Sequence, residues 1–165
     1  GNLPSADVLA ATIKATWLLE TIGFNGAKLD LDGTIMRSWV ADPLTGGSRP
    51  ISQSTRHNYS VAFRHDIPRS PLTWGFSVEQ GVNAPFYRLN YVFEEINNVP
   101  FVRIYIEHKD VLGLKLRAVW GNVLGQKVDN FETYYSNRRD GPVERYADAR
   151  FEYKNIFRFV VSGTF

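Results

Sequence analysis

The run Phe157-Arg158-Phe159-Val160-Val161-Ser162-Gly163-Thr164-Phe165 alternates up to its last residue. Successive side chains of a β-strand point to opposite faces. Phe157, Phe159, Val161, Gly163 and Phe165 therefore share one face, and Arg158, Val160, Ser162 and Thr164 share the other. The first face suits an apolar medium. A soluble domain also ends on such a strand at times, so the reading depends on whether the pattern recurs upstream.

It recurs along the whole chain. Segments of period two, separated by polar or Pro/Gly turns, give nine candidate strands at about residues 8–21, 27–39, 55–66, 72–80, 85–95, 101–108, 112–121, 129–138 and 151–165. In the second, Ala27, Leu29, Leu31 and Ile35 oppose Lys28, Asp30, Asp32 and Thr34. In the third, Tyr59, Val61 and Phe63 oppose Asn58, Ser60, Arg64 and Asp66. The first segment is ambiguous. Ser5 or Asp7 would cap a helix that Ala10, Ala11, Lys14, Ala15, Leu18 and Leu19 favour locally. Its spacing, and the turn-like Ile22-Gly23-Phe24-Asn25-Gly26 after it, favour a strand.

Composition narrows the class. The chain has 165 residues, the length of one domain, with 44% hydrophobic and 14% aromatic residues, enough to form a core. Its 19 basic and 17 acidic residues are interspersed, so no basic stripe points to a nucleic-acid partner. The absence of cysteine excludes disulfides, thiolate metal sites and cysteine nucleophiles. No apolar run approaches the roughly 20 residues of a membrane helix, and no signal-peptide pattern is present. Any crossing of a membrane is then by strands.

Alternation alone fits two inverse architectures, a lipocalin-like soluble barrel that is apolar inside and a transmembrane barrel that is polar inside. Three features favour the all-β, transmembrane antiparallel β-barrel. The segments run to about 9–13 residues where soluble strands centre on about 5–6, aromatic residues such as Trp17, Trp39, Trp74 and Trp120 fall within or at the ends of segments, and compact turns alternate with longer ones.

Four stretches carry a more specific signal. They are Ile106-Glu107-His108-Lys109-Asp110-Val111-Leu112-Gly113-Leu114, continuing through Leu116-Arg117-Ala118 to Asn122; Arg138-Arg139-Asp140-Gly141-Pro142; Gly26-Ala27-Lys28-Leu29-Asp30-Leu31; and Ser162-Gly163-Thr164-Phe165. Together they resemble the C-terminal part of the barrel of TonB-dependent outer-membrane receptors, a likeness that covers nearly the whole chain. The resemblance implies a barrel of about 22 strands, of which residues 1–165 would be about the last nine. A plug and about thirteen earlier strands would lie in an N-terminal remainder of the same receptor, present as a separate chain. It further implies residence in the bacterial outer membrane, contact with lipid and lipopolysaccharide, and coupling to the TonB complex through the absent N-terminal part. The imported compound would be a scarce ligand such as an iron chelate, cobalamin, a carbohydrate or another small molecule. Phe165 would act as an assembly signal.

With the C-terminal residue in the periplasm, counting hairpins backwards predicts outward loops at 40–54, 81–84, 109–111 and 139–150. Periplasmic turns are expected at 22–26, 67–71, 96–100 and 122–127. Phe157, Phe159, Val161 and Phe165 should face lipid, and Arg158, Ser162 and Thr164 the lumen.

No enzyme, cofactor or metal site is expected. His57, His65 and His108 are the only histidines and are spread over separate segments, with His57 alone placed near a long loop. The pairs Asp30/Asp32 and Glu94/Glu95 invite an acid–base reading, but Asp30 and Asp32 share a face with Lys28, so hydration and salt bridging explain them more simply, and Glu94/Glu95 is expected at a strand end beside the Asn97-Asn98 turn. The loop 41–55 is the longest irregular stretch and the one suited to binding, whereas in the charged stretch 138–150 the mixture of Arg138, Arg139, Arg145 and Arg150 with Asp140, Glu144 and Asp148 suggests loop–loop salt bridges or contact with lipopolysaccharide more than a defined anion site. No substrate-binding residue is named. The rival readings are a soluble, lipocalin-like ligand-binding barrel and a small outer-membrane barrel without TonB coupling.

Overall fold

A computed structural model describes residues 5–163. In chain order its strands are β1 (Ala6–Leu18), β2 (Ala27–Ala41), β3 (Ser48–Arg49), β4 (Thr55–Asp66), β5 (Leu72–Asn83), β6 (Phe86–Tyr87), β7 (Tyr91–Asn97), β8 (Phe101–Val111), β9 (Leu114–Gly121), β10 (Lys127–Tyr135), β11 (Val143–Glu152) and β12 (Ile156–Ser162). The ambiguous first segment is a strand, followed by a single 3-10 turn at Leu19–Ile22. Every pairing is antiparallel.

Two sheets result. The long one runs β1-β2-β4-β5-β8-β9-β12, with β3 attached to β2, and the short one runs β11-β10-β7-β6. Among the described residues β1 and β12 each pair on one side only, so the long sheet is open rather than closed into a barrel.

This arrangement corrects the expected nine-strand succession of hairpins. Seven strands make up the long sheet, because β5 pairs directly with β8 and β9 directly with β12. The segments expected at 85–95 and 129–138 leave it as excursions and pair with each other through β7 and β10. The stretch 139–150, expected as a loop, contains most of β11, and the last expected strand is broken by a link between β11 and β12. The physical reason lies in the side chains. Glu94 and Glu95 put a carboxylate on each face of β7, and Asp129 and Glu132 do the same for β10, so neither strand offers the uncharged face that the other seven share.

The loop ends change accordingly. Turns 22–26 and 67–71 lie at one end of the long sheet, as expected, and 42–54 at the other. The β8–β9 connection joins the 22–26 end, contrary to the outward loop expected at 109–111. It is a two-residue turn with Leu112 at φ 56 and Gly113 at φ 81, the doubly left-handed geometry that fits a tight hairpin. Residues 96–100 and 122–127, expected among the periplasmic turns, instead root the two excursions at the 42–54 end. The former is called the compact end below and the latter the excursion end.

Register sorts the long sheet into two faces. One carries Leu9, Ile13, Trp17, Leu29, Leu31, Ile35, Val61, Phe63, Trp74, Phe76, Val102, Ile104, Ile106, Leu116, Trp120, Phe157, Phe159 and Val161. Among the described residues that pair in register, its Asp, Glu, Lys or Arg residues are Asp7 and Arg37, both at the excursion end. The opposite face carries Lys14, Lys28, Asp30, Asp32, Arg64, Asp66, Glu79, Arg103, Glu107, Lys115, Arg117 and Arg158.

Burial is inverted relative to a soluble sheet. Phe159 is 82% exposed, while Thr73 and Glu107 on the charged face are 0% and 1% exposed. The buried apolar cluster is small, comprising Leu19, Ala27 and Phe63 with Leu29 and Phe76 packed beside it. All four tryptophans are on the uncharged face, Trp17 and Trp74 toward the compact end and Trp39 and Trp120 toward the other. Their placement is amphipathic: Trp74 Nε1–H donates to His65 Nδ1 at 3.1 Å, and Trp120 Nε1–H to Asn155 Oδ1 at 3.2 Å.

The strands are also staggered. The register row Trp17, Leu29, Phe63, Phe76, Ile104, Trp120 starts one residue from the compact end of β1 and finishes one residue from the opposite end of β9. A shift of about one residue, ~3.3 Å, for each ~4.8 Å step between strands corresponds to a tilt of roughly 35°.

Candidate functional site

The charged face is a surface of mutually paired groups. At its compact end Arg64 Nε–H donates to Asp66 Oδ2 at 3.0 Å and Nη2–H to Oδ1 at 2.9 Å, Thr73 Oγ1–H donates to Asp66 Oδ1 at 2.6 Å, and Lys109 Nζ lies 2.7 Å from that oxygen. Glu107 is flanked by Lys115 Nζ at 3.0 Å and Arg64 Nη2 at 3.5 Å. Further along, Lys28 meets Asp30 at 2.8 Å, Lys14 meets Asp32 at 3.0 Å and Arg103 meets Glu79 at 3.1 Å. Two open troughs cross this face. One of about 290 Å³ is lined by Lys28, Arg64, Ser77, Arg103, Tyr105 and Arg117 among others, and one of about 510 Å³ by Asp32, Ser60, Glu79 and Gln126 among others.

At the excursion end a buried cluster holds three connections together. Asp42, 3% exposed, follows β2, and Arg139, 7% exposed in its side chain, sits in the β10–β11 turn. Both Nη–H groups of Arg139 donate to the Asp42 carboxylate, its Nε–H donates to Arg88 O at 2.6 Å, and Arg49 Nε approaches Asp42 Oδ2 at 3.2 Å. The guanidiniums of Arg49 and Arg139 lie 4.8 and 5.3 Å from the centre of the Tyr87 ring. Loop 42–54, the β6–β7 excursion and the β10–β11 excursion thus meet at one carboxylate. The Arg139 hydrogen bonds and the Leu44 N–H hold the Asp42 carboxyl down at about 2, and burial pushes the Tyr87 hydroxyl up.

The roots of the excursions are tied as well. Asn122, fully buried at φ 54, donates from Nδ2 to Tyr153 O at 2.6 Å and accepts Gln126 N–H at 2.7 Å. Gln126 Nε2–H donates to Val99 O at 2.8 Å, joining one root to the other. Beside loop 42–54 a cleft of about 390 Å³ is lined by Arg37, Ser38, Trp39, Arg49, Ser54 and Arg56 among others.

The sequence candidates do not converge. His57 stands exposed at the start of β4, His65 accepts the Trp74 indole and contacts Phe24, and His108 accepts the Asp110 N–H at 3.3 Å. No group of three or more His, Asp or Glu residues is placed to hold a metal among the described residues. Asp30 and Asp32 occur in the salt bridges given above. Glu94 and Glu95 lie within β7, not at the end of a long strand, and Glu94 faces Arg56 at 3.6 Å.

Of the charged stretch 138–150, Arg138 pairs with Asp140 at 3.5 Å and Arg139 enters the buried cluster. Arg145 stacks on Tyr134, and Arg150 donates to Asp129. Sequence reasoning missed Asp42, Tyr87 and Asn122. Their one advance signal is chemical type, a lone acid, a tyrosine and an asparagine beside turn residues, which does not single them out. Thr164 and Phe165, on which an orientation and the assembly signal were expected, lie outside the described residues. Compared with known proteins, the chain matches no family model, no curated protein and no solved structure.

Proposed function

We propose that this chain is the C-terminal part of the barrel wall of a TonB-dependent outer-membrane transporter, a protein that imports a scarce ligand and is not an enzyme. The observation that carries the reading is the inverted sheet. Its uncharged face is exposed, is bordered by tryptophans at both ends and carries charge only at one rim, while its charged face is the ion-paired and more deeply buried one. Lipid rewards that pattern and water does not. Along β1 the band from Leu9 to Trp17, at a tilt of roughly 35°, spans about 22 Å of membrane thickness, close to the roughly 25 Å apolar belt of such barrels.

In this reading the compact end faces the periplasm and the excursions face outside, where loops select the ligand. The sequence resemblance supplies TonB coupling; a small barrel without it shares the same wall. The unpaired backbone groups along β1 and β12 need partners where lipid offers none, and an N-terminal remainder with a plug and about fifteen strands would provide them.

Fractionating cells that carry the whole protein tests this. The chain is expected in the outer membrane, extractable only with detergent, together with a larger partner of the same receptor identified by its mass and N-terminal sequence. Recovery in the aqueous fraction without detergent would overturn it.

A further inference from the structure

One guanidinium on the charged face is built into position and left without a counter-charge. Arg64 has Asp66 and Glu107, and Arg103 has Glu79. Arg117 stands directly opposite Glu107 in register, yet Glu107 is engaged by Lys115 and Arg64, and Arg117 makes no ion pair among the described residues. Its Nε is buried with no hydrogen-bond partner. What holds it is the diagonal neighbour Tyr105, whose ring centre lies 3.9 Å from the Arg117 guanidinium carbon.

Tyr105 in turn is seated on Gly75, its register partner. A Cβ at Gly75 would lie 2.7 Å from the tyrosine oxygen and 2.8 Å from Cε1. The glycine, the tyrosine ring and the guanidinium form a three-layer stack that rises from the sheet into the trough lined by Lys28, Arg64, Ser77, Arg103 and Tyr105. Arg158, the other guanidinium on this face without an ion pair among the described residues, is exposed and has no such seat.

We propose that the Gly75–Tyr105–Arg117 stack is a docking point for a carboxylate carried by the segment that occupies the charged face, an Asp or Glu side chain of the plug. The inference rests on the transporter reading for the identity of that segment. Charge complementarity carries it. A planar guanidinium whose orientation is already fixed by stacking loses little freedom on forming a two-pronged bond to a carboxylate, and the carboxylate opposite it, Glu107, has Lys115 and Arg64 at its Oε1, although both its oxygens are buried without a hydrogen-bond partner.

The test uses the complete receptor in outer membranes, with a photoactivatable benzoyl-phenylalanine in place of Val119 or of Ser77 on the same face. Both positions are expected to cross-link to a segment outside residues 1–165, and the peptide caught from Val119 to contain an Asp or Glu. Arg117→Gln should then make that segment about tenfold more susceptible to protease, the loss expected for one charge-assisted contact. Reversing the charge of Arg117 and of the captured acid together should restore resistance.

Arg117→Lys keeps the charge but not the flat stack, and serves if the glutamine variant does not reach the membrane; it should loosen the segment by a smaller factor. Unchanged protease resistance in the Arg117 variants, or a captured peptide without an acid, overturns the docking point while leaving the transporter reading in place. No cross-link from either position to any outside segment removes both.

Discussion

Asp42 makes the most consequential single contact in the molecule, since three connections meet at its carboxylate. Its carboxyl is held below its ordinary 3.8, at about 2. The stabilisation is therefore fully present above about pH 4 and is lost as the pH falls through about 2. It amounts to about 2 kcal/mol. Pepsin, which works in that range, should leave the excursions of the intact protein uncut at pH 4 and cut them progressively toward pH 2. Asp42→Asn leaves the largely covered Arg139 guanidinium and the neighbouring Arg49 without their counter-charge, at a cost of up to about 3–5 kcal/mol, and should be cut at pH 4 already; resistance of that variant equal to the parent would refute the latch. The mixed charges of 138–150 pointed to loop–loop salt bridges, but the partner was not legible, because Asp42 and Arg139 are 97 residues apart and neither type is unusual where it stands.

At the scale of elements, alternation located six of the seven strands of the long sheet and its two faces, while the last expected strand, 151–165, divides between the end of β11 and β12; a period of two is a local property of the chain. Pairing is not local. Whether a two-faced strand joins its sequence neighbour or a distant one depends on which surfaces need covering, and the carboxylates on both faces of β7 and β10 were the legible hint that these two belong elsewhere.

The face assignment predicts opposite outcomes at adjacent positions. Ile13→Arg puts a charge on the uncharged face of β1, at a cost of about 2–4 kcal/mol if, as proposed, that face meets the middle of a membrane, whereas Thr12→Arg points to the charged face opposite Thr34. Heat-modifiable gel mobility should show poor assembly for the first and near-normal assembly for the second; equal assembly would reject the orientation. The corrected loop ends predict that cysteines at Gly47 and Asn98 react with an impermeant reagent on whole cells while those at Ser70 and Leu112 do not. Labelling at Leu112 but not Asn98 would restore the simple succession of hairpins.

For the molecule as a whole, the class was legible and the extent was not. Composition and period gave an antiparallel all-β chain with an uncharged face, but no local signal reports how many strands share one sheet, and the expected nine became seven. On the proposed transporter reading two open edges would lie in lipid, where they could not stand alone. Stripping a copurifying partner with denaturant should therefore make this chain aggregate or insert incompletely, and its return should restore a heat-modifiable species; a seven-stranded chain that stays folded and monodisperse in detergent by itself would contradict the need for further strands.

The stagger of the long sheet has a consequence for size. Strands tilted by roughly 35° each take up about 6 Å of rim, so these seven cover about 41 Å of circumference. A ring of about 22 such strands would measure roughly 130 Å around and 40 Å across. Inward side chains reach only a short way into an opening of that diameter. On the proposed reading, a register step of one residue per strand would thus amount, in a closed wall of that size, to a leak that only a folded stopper could seal.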